Sequence, residues 1–380
     1  MHLKYPIKIH EKLKGKIEIR SKAPLKTKKD LSIFYTPGVG AVSSYLAKHK
    51  NKSRELTIKN NSLAVVSDGS AVLGLGNLGP EGAIPVMEGK AMIFKEFAGI
   101  DAFPIILDTQ NTDEIINTIK NIAPVFGGIN LEDISAPRCF EIENKLKEIL
   151  DIPVFHDDQH GTAIAVLAAL INAFKVINKK INSSKIVILG AGAAGIAIAE
   201  LLLKYGAGNI MVLDSKGIIC KTRKGINKYK KRIAQKTNGK NICGVLDDAV
   251  IEADAIIGVS APNIIKPRHI KLMAKKPIVF ALSNPIPEIM PIEAKKAGAF
   301  IIATGRSDFP NQINNALVFP GIFRGALDSR IKKITDDMKI NAAKNLAALI
   351  KKPAPDKIIP SVFDKKVVDA VVNSIRIHTP

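Results

Sequence analysis

Tryptophan is absent from the 380 residues, and the aromatic residues together make up only 5%. That is a poor stock for a surface that stacks bases on aromatic rings. Cysteine is sparse: Cys139, Cys220 and Cys243 form no CxxC pair and show no metal-ligand spacing. A small odd count argues against a secreted disulfide framework and fits a reducing cytoplasm. No apolar run reaches the length of a membrane span, and the longest, Thr162–Phe174, reads as a buried helix. The N-terminus, MHLKYPIKIHEKLKGKIEIRSK, lacks the apolar core of a signal peptide and reads as part of the mature protein. Neither a long internal repeat nor a low-complexity tract is visible.

Acidic residues are also in short supply. Asp and Glu number 35 against 56 Lys and Arg, giving a net charge of +21. Nucleic acid, a membrane surface or an anionic substrate could each account for such an excess. Only 10 of the basic residues are Arg, and the lysines spread along the whole chain. The densest stretch, KTRKGINKYKKRIAQKTNGK (221–240), reads as a solvated helix face. The expected partner is therefore a small molecule, with no nucleic acid and no membrane. Hydrophobic residues at 46% exclude disorder, and the length suits two domains.

From about residue 100 short apolar runs alternate with amphipathic ones, the pattern of an α/β protein with parallel strands. Strands are expected at Pro104–Leu107, from Pro124–Phe126 and from Pro153–Phe155, with helices at Asp113–Ile122, Pro137–Leu150 and Gly161–Val176. A second series has strands at Lys185–Leu189, Ile210–Leu213, Ala255–Gly258, Ile278–Leu282 and Phe300–Ile302. Helices are expected at Ala193–Tyr205 and, near the end, at about 336–351 and 361–375. The domain boundary falls near residue 160.

The segment KIVILGAGAAGIAIAELLLKYGAGNIMVLD places Gly190, Gly192 and Gly195 between a strand and a helix. The first glycine permits a tight turn, the second lets backbone approach a pyrophosphate, and the third lets helix and strand pack closely. The helix N-terminus then offers free N–H groups to the phosphate. Asp214, at the end of the next strand, stands where a ribose hydroxyl is bound. Its carboxylate favours NAD over NADP, while Lys216, Lys221 and Arg223 just beyond could pair with a 2′-phosphate.

The two PVF segments each lead into acids, Glu132 and Asp133 after the first, Asp157 and Asp158 after the second. Parallel strands would bring both pairs to one sheet edge, where they repel unless a cation sits among them. Oxygen ligands suit Mg²⁺ or Mn²⁺. His156 and His160 read as neighbours of that site rather than ligands. A single Asp in such a place is ordinarily a helix cap; two matched pairs point to a metal.

Earlier in the chain, LSIFYTPGVG (31–40) holds Tyr35, and a Gly-rich apolar stretch (65–109) holds Lys90. One lysine among many is ordinarily solvated. Lys90 lies between GAIPVMEG and AMIF, and an ammonium in apolar surroundings has a lowered pKa suited to a general base. Tyr35 reads equally well as a packed aromatic.

FYTPGVG, SDGSAVLGLGNLGPEGAIPVMEGKA, NLEDI, FHDDQHGTA, GAGAAG, LSNP (282–285) and NQINNALVFPGIFRGALD (311–328) occur in this order. In these motifs, and over nearly its full length, the chain resembles the short bacterial type of malic enzyme. The resemblance implies an α/β fold with a substrate- and metal-binding domain over 1–160. It also implies a Rossmann-type doubly wound dinucleotide-binding domain over 161–380, with the last helices packing back. The implied reaction is oxidative decarboxylation of (S)-malate to pyruvate and CO₂, with NAD⁺ or NADP⁺ and Mg²⁺ or Mn²⁺. A homodimer is the family's usual assembly.

By the same resemblance, Lys90 is the general base and Tyr35 the general acid. Glu132, Asp133 and Asp158 are the metal ligands, and Asp157 supports them. The cofactor is held by Gly190, Ala191, Gly192, Ala193, Ala194, Gly195, Asp214 and Asn284. Lys90, Asn284 and Asn315 touch substrate, Asn314 being the other amide of its pair. In larger members an Arg after the S/T-D-G turn binds substrate carboxylate; here that place is Ser70, which leaves Arg306 as a candidate. The chain ends at Pro380, without the phosphotransacetylase-like extension of some relatives. A decarboxylase of oxaloacetate without net redox is the nearest rival reading.

Overall fold

Residues 4–376 are described in the computed structural model. Their aliphatic runs form two sheets. The first contains β1 (Ser62–Ser67), β2 (Asp101–Ile106), β3 (Gly128–Leu131) and β4 (Val154–His156), in the order β2-β1-β3-β4 and all parallel. The second contains β5 (Lys185–Leu189), β6 (Asn209–Asp214), β7 (Gly217–Ile218), β8 (Ala255–Gly258), β9 (Ile278–Ala281) and β10 (Ile301–Thr304). Its order is β10-β9-β8-β5-β6-β7, parallel except for the short edge strand β7. Pro104 has no N–H to give a ladder, and β2 accommodates it by lying at a sheet edge.

Helices α1 (Lys4–Leu13), α2 (Lys28–Phe34), α3 (Gly38–Lys48) and α4 (Ser53–Leu56) precede the first sheet. Helices α5 (Gly79–Ala98), α6 (Thr112–Ile122) and α7 (Arg138–Ile149) connect its strands. Helix α8 (Asp157–Ile177) then leads to the second sheet, where α9 (Ala193–Tyr205), α10 (Lys228–Lys236), α11 (Leu246–Val250), α12 (Pro267–Lys271) and α13 (Pro291–Lys296) follow its strands. Helices α14 (Phe319–Asp328), α15 (Asp336–Ala348) and α16 (Lys366–Arg376) close the chain, with α14 against α5 and α15 against α8.

The alternation expected from about residue 100 begins earlier, with the central strand β1 and the long helix α5. Gly82, Gly89 and Pro85 inside α5 are poor helix formers. Burial of Ala83, Met87, Lys90, Ala91 and Phe94 at helical spacing outweighs that local preference. Pro124–Phe126, expected to begin a strand, instead overlaps a 3₁₀ turn over Ala123–Val125, and β3 starts at Gly128. Proline at the first turn of a helix needs no N–H partner, which suits Pro124 there.

Helix α8 begins at Asp157, four residues before its expected start, so both acids lie in its first turn. At 21 residues it is longer than its apolar run and long enough to span a bilayer, but most of it is buried against α9 and α15. Residues 221–240 are largely as expected: α10 buries Tyr229, Ile233 and Ala234 and turns Lys228, Lys231 and Lys236 outward, while Lys230 is half-buried.

Cys220 and Cys243 form a disulfide, while Cys139 is free and buried. Asn238 brings the two together, its amide donating to the carbonyls of Ile219 and Ile242. Such a long-range pairing leaves no spacing signal, and the inference of a reducing compartment from sparse cysteines loses its basis.

Candidate active site

Parallel strands deliver their following loops to one side of each sheet, and the two sheets share a cleft there. The cavity is about 620 Å³. Its walls come from the segment after α1, from the loops after β1, β3, β8, β9 and β10, from one face of α5, and from the beginnings of α8 and α9.

Glu132 and Asp133 follow β3 directly, and Asp158 lies in the first turn of α8. Register pairs Leu131 with His156, which brings the two acid pairs side by side. Oxygens of Glu132, Asp133 and Asp158 lie within 4.8 Å of one another. Asp133 adopts the left-handed φ of +54°, tolerable for Asp, and its N–H donates to Asp158 Oδ2 at 2.8 Å. Burial and the neighbouring carboxylates push Asp133 up to about 9, and burial pushes Asp158 up to about 6. The buried Oδ2 of Asp133 has no hydrogen-bond partner among the described residues. An all-oxygen trio with an orphaned buried atom and mutual repulsion fits a hard divalent cation.

Lys90 sits midway along α5 with 7% exposure. Its Nζ lies 2.8 Å from Glu132 Oε1, 2.7 Å from Asp157 Oδ2 and 4.1 Å from the centroid of the Phe319 ring. The apolar surroundings inferred from sequence would depress its pKa. Burial does pull it down, but Asp157 and Glu132 outweigh burial and the net shift is upward. The reason is tertiary: both acids come from elements 40 and more residues away. Asp157 is sealed from solvent, and burial pushes its carboxyl up to about 7 against the pull of Lys90. Gly161, one helical turn on, is required there: a Cβ would stand 1.9 Å from Asp157 Oδ1.

Glu143 on α7 braces this turn from behind. It accepts from the His156 N–H at 2.9 Å, from His160 Nε2 at 2.9 Å and from Lys147 Nζ at 2.7 Å. His156 and His160 therefore stand beside the acids and not among them. Nothing in the local sequence singles out Glu143, because its role depends on α7 packing against β4.

In the second sheet, Gly190 has φ +122°, and a Cβ on Gly195 would strike Gly190 O at 1.7 Å. These contacts bear out the reason for both glycines. Gly192 caps α9, Ala193 opens it, Ala191 precedes, and Ala194 lines the cleft. Asp214 ends β6 as expected, but its carboxylate is already engaged. Oδ1 accepts from Arg223 Nη2 at 2.6 Å, and Oδ2 accepts from Lys230 Nζ at 2.6 Å. Arg223 was legible as a neighbour in sequence; Lys230 was not, since α10 folds it back.

Asn284 and Asn315 both line the cleft, Asn284 beside Gly74, whose Cβ would meet Asn284 O at 1.9 Å. Asn314 spends its Oδ1 on the Ala316 N–H as a helix cap. Arg306 does not reach the site: it pairs with Asp308 at 2.7 Å on the surface. Ser70 is buried outside the cleft lining, donating to Asp68 Oδ1 at 2.5 Å and accepting from Arg138 Nη2 at 3.0 Å. Tyr35, at the end of α2, is 66% exposed and does not line the cleft of its own chain.

Residues 14–147 match the family model described as malic enzyme, N-terminal domain, and residues 159–375 match malic enzyme, NAD binding domain. The chain belongs to the malic enzyme family. Among curated malic enzymes, it is 57% identical to an NAD-dependent one from Geobacillus stearothermophilus, over 95% of this chain and 76% of that protein. It is 44% identical to an NADP-dependent malic enzyme from Halomonas elongata, over 95% of this chain and 89% of that one. The crystal structure of an NAD-dependent malic enzyme from Thermotoga maritima superposes with a TM-score of 0.94 at 49% identity, covering 97% of this chain and 98% of that one. That structure shares the mixed α/β architecture described above.

Proposed function

We propose that this chain converts (S)-malate to pyruvate and CO₂ while reducing NAD⁺ or NADP⁺, with Mg²⁺ or Mn²⁺ held by Glu132, Asp133 and Asp158. The carrying observation is that the acid trio, Lys90, Asn284, Asn315 and the start of α9 all line one cleft. When bound, the cation supplies Lewis acidity toward the substrate's hydroxyl and carbonyl oxygen, and the dinucleotide supplies the hydride acceptor.

Lys90 Nζ first yields a proton to Asp157 Oδ2, its hydrogen-bond partner at 2.7 Å, and the amine so formed takes the hydroxyl proton. Asn284 and Asn315 orient the bound ligands through their amides. The chain divides near residue 160 into a substrate and metal half and a dinucleotide half, a reading supported by matches that run over 14–147 and 159–375.

Tyr35 acts as the general acid from a second copy of the chain. Helices α1, α2 and α3 bury no residue, and Leu31, Phe34, Tyr35 and Val42 are all exposed. A homodimer that covers this apolar arm gives Tyr35 a cleft to enter.

Both cofactors serve. Arg223 and Lys230 neutralise Asp214, so the carboxylate that argued for NAD no longer repels a 2′-phosphate. Relatives of both specificities fit that expectation.

The test is formation of reduced nicotinamide that depends on malate, cofactor and metal together. Folded protein that decarboxylates oxaloacetate but forms no reduced cofactor from malate would refute the reading.

A further inference from the structure

A dicarboxylate brings two negative charges into a cleft that already holds Glu132, Asp133 and Asp158. Among the described residues lining that cleft, the cations are Lys16 and Lys90. Lys90 is committed to Glu132 and Asp157. The other two positions that could carry a carboxylate-binding Arg are closed: Ser70 is tied into the Asp68–Arg138 pair, and Arg306 is at the surface.

Lys16 is placed differently. It lies in the segment after α1, which crosses the face of α5. Its Nζ donates to Pro85 O at 2.6 Å, and although the charge of Glu88 acts on it, no carboxylate lies at ion-pair distance among the described residues. Two of its three N–H donors thus remain free. Gly89 stands beside it, where a Cβ would lie 3.6 Å from the Nζ, and Lys90 is the next residue of α5.

We infer that Lys16 is the cationic anchor for the malate carboxylate remote from the hydroxyl, and so selects a dicarboxylate over a 2-hydroxy monocarboxylate. This rests on the malate-oxidising reading of the same cleft. A charge-assisted hydrogen bond from a partly desolvated ammonium suits this task. An ammonium is a point charge, without the two-pronged grip of a guanidinium, and it releases more readily a carboxylate that departs as CO₂.

The test is steady-state kinetics of Lys16→Gln and Lys16→Met with malate as the varied substrate. Lys16→Gln keeps a donor for Pro85 O and removes only the charge. Oxalate, a two-carbon chelator with no remote carboxylate, serves as the comparison inhibitor. Both variants are expected to raise KM for malate by about tenfold or more, while the oxalate inhibition constant moves by less than about threefold. An unchanged malate KM in either folded variant overturns the inference. So does a parallel loss of oxalate inhibition, which marks a general disturbance of the cleft. Wild-type protein without malate oxidation would instead refute the functional reading itself.

Discussion

The ammonium of Lys90 and the carboxylate of Asp157 meet at 2.7 Å, the carboxylate fully buried and the lysine at the wall of the cleft. The pair joins the middle of α5 to the first turn of α8, and Glu132 completes it from the end of β3. A buried charge whose partner is deleted is costly, commonly about 3–5 kcal/mol.

Lys90 therefore has two separable duties. Lys90→Ala is expected to abolish turnover and lower stability together. Lys90→Arg keeps a cation beside Asp157 but cannot serve as a base. Its expected outcome is a drop in kcat of roughly 10²–10⁴-fold with a melting temperature near wild type. Substantial turnover in Lys90→Arg would remove the base assignment.

Sharing of sites across a dimer can be read by mixing inactive variants. If Tyr35 serves the partner's cleft, a Tyr35→Phe chain and a Lys90→Arg chain form one intact site per mixed dimer. Refolded equimolar mixtures should then recover about a quarter of wild-type activity, by the statistics of a symmetric dimer. Activity no higher than the two inactive parents would place Tyr35 and Lys90 in the same chain's site.

Cofactor choice should respond to the cations around Asp214. Arg223→Gln and Lys230→Gln each leave the carboxylate with less compensation. The ratio of kcat/KM for NADP⁺ over NAD⁺ is expected to fall by about tenfold in the double variant. Asp214→Asn should move the ratio the other way. A ratio indifferent to all three charges would place the selecting contact elsewhere.

Divalent cation should stabilise the fold as well as activate it. Binding at about 100 times Kd contributes roughly 2.7 kcal/mol by mass action. Thermal melts with and without Mn²⁺ should differ by several degrees, and Glu132→Gln should erase the difference. A melting point blind to Mn²⁺ would argue against the acid trio as the cation site.

Lys339 gives a pH signature away from the cleft. It is buried on α15, with His160 Nδ1 at 3.2 Å and Asp336 Oδ1 at 3.1 Å, and Glu143, Glu200, Lys147 and Lys204 also face it. Burial, aided by Lys147, lowers its pKa to about 7. An unfolded lysine titrates near about 10.4. Between those values the unfolded chain binds more protons, so this group makes stability rise as pH climbs from neutrality. Lys339→Met should flatten that rise in melts taken at neutral and alkaline pH. An identical slope in the variant would assign the rise to other groups.

Local patterns fixed much of this protein. The GAGAAG turn works through backbone geometry alone, so Gly190 and Gly195 were legible without a structure. The acids after β3 and β4 were legible because parallel strands send their following residues to one edge. Helix α5 was not, because Pro85 and its glycines argue against a helix until burial is counted. The charge state of Lys90 was decided only by tertiary contact. Sequence neighbours gave it an apolar setting, while the fold gave it Glu132 and Asp157 at hydrogen-bond distance. The same holds for Asp214, Lys230 and the Cys220–Cys243 bond. Short-range conformational preference is written residue by residue, whereas an electrostatic environment depends on which distant charges the fold brings within a few ångströms.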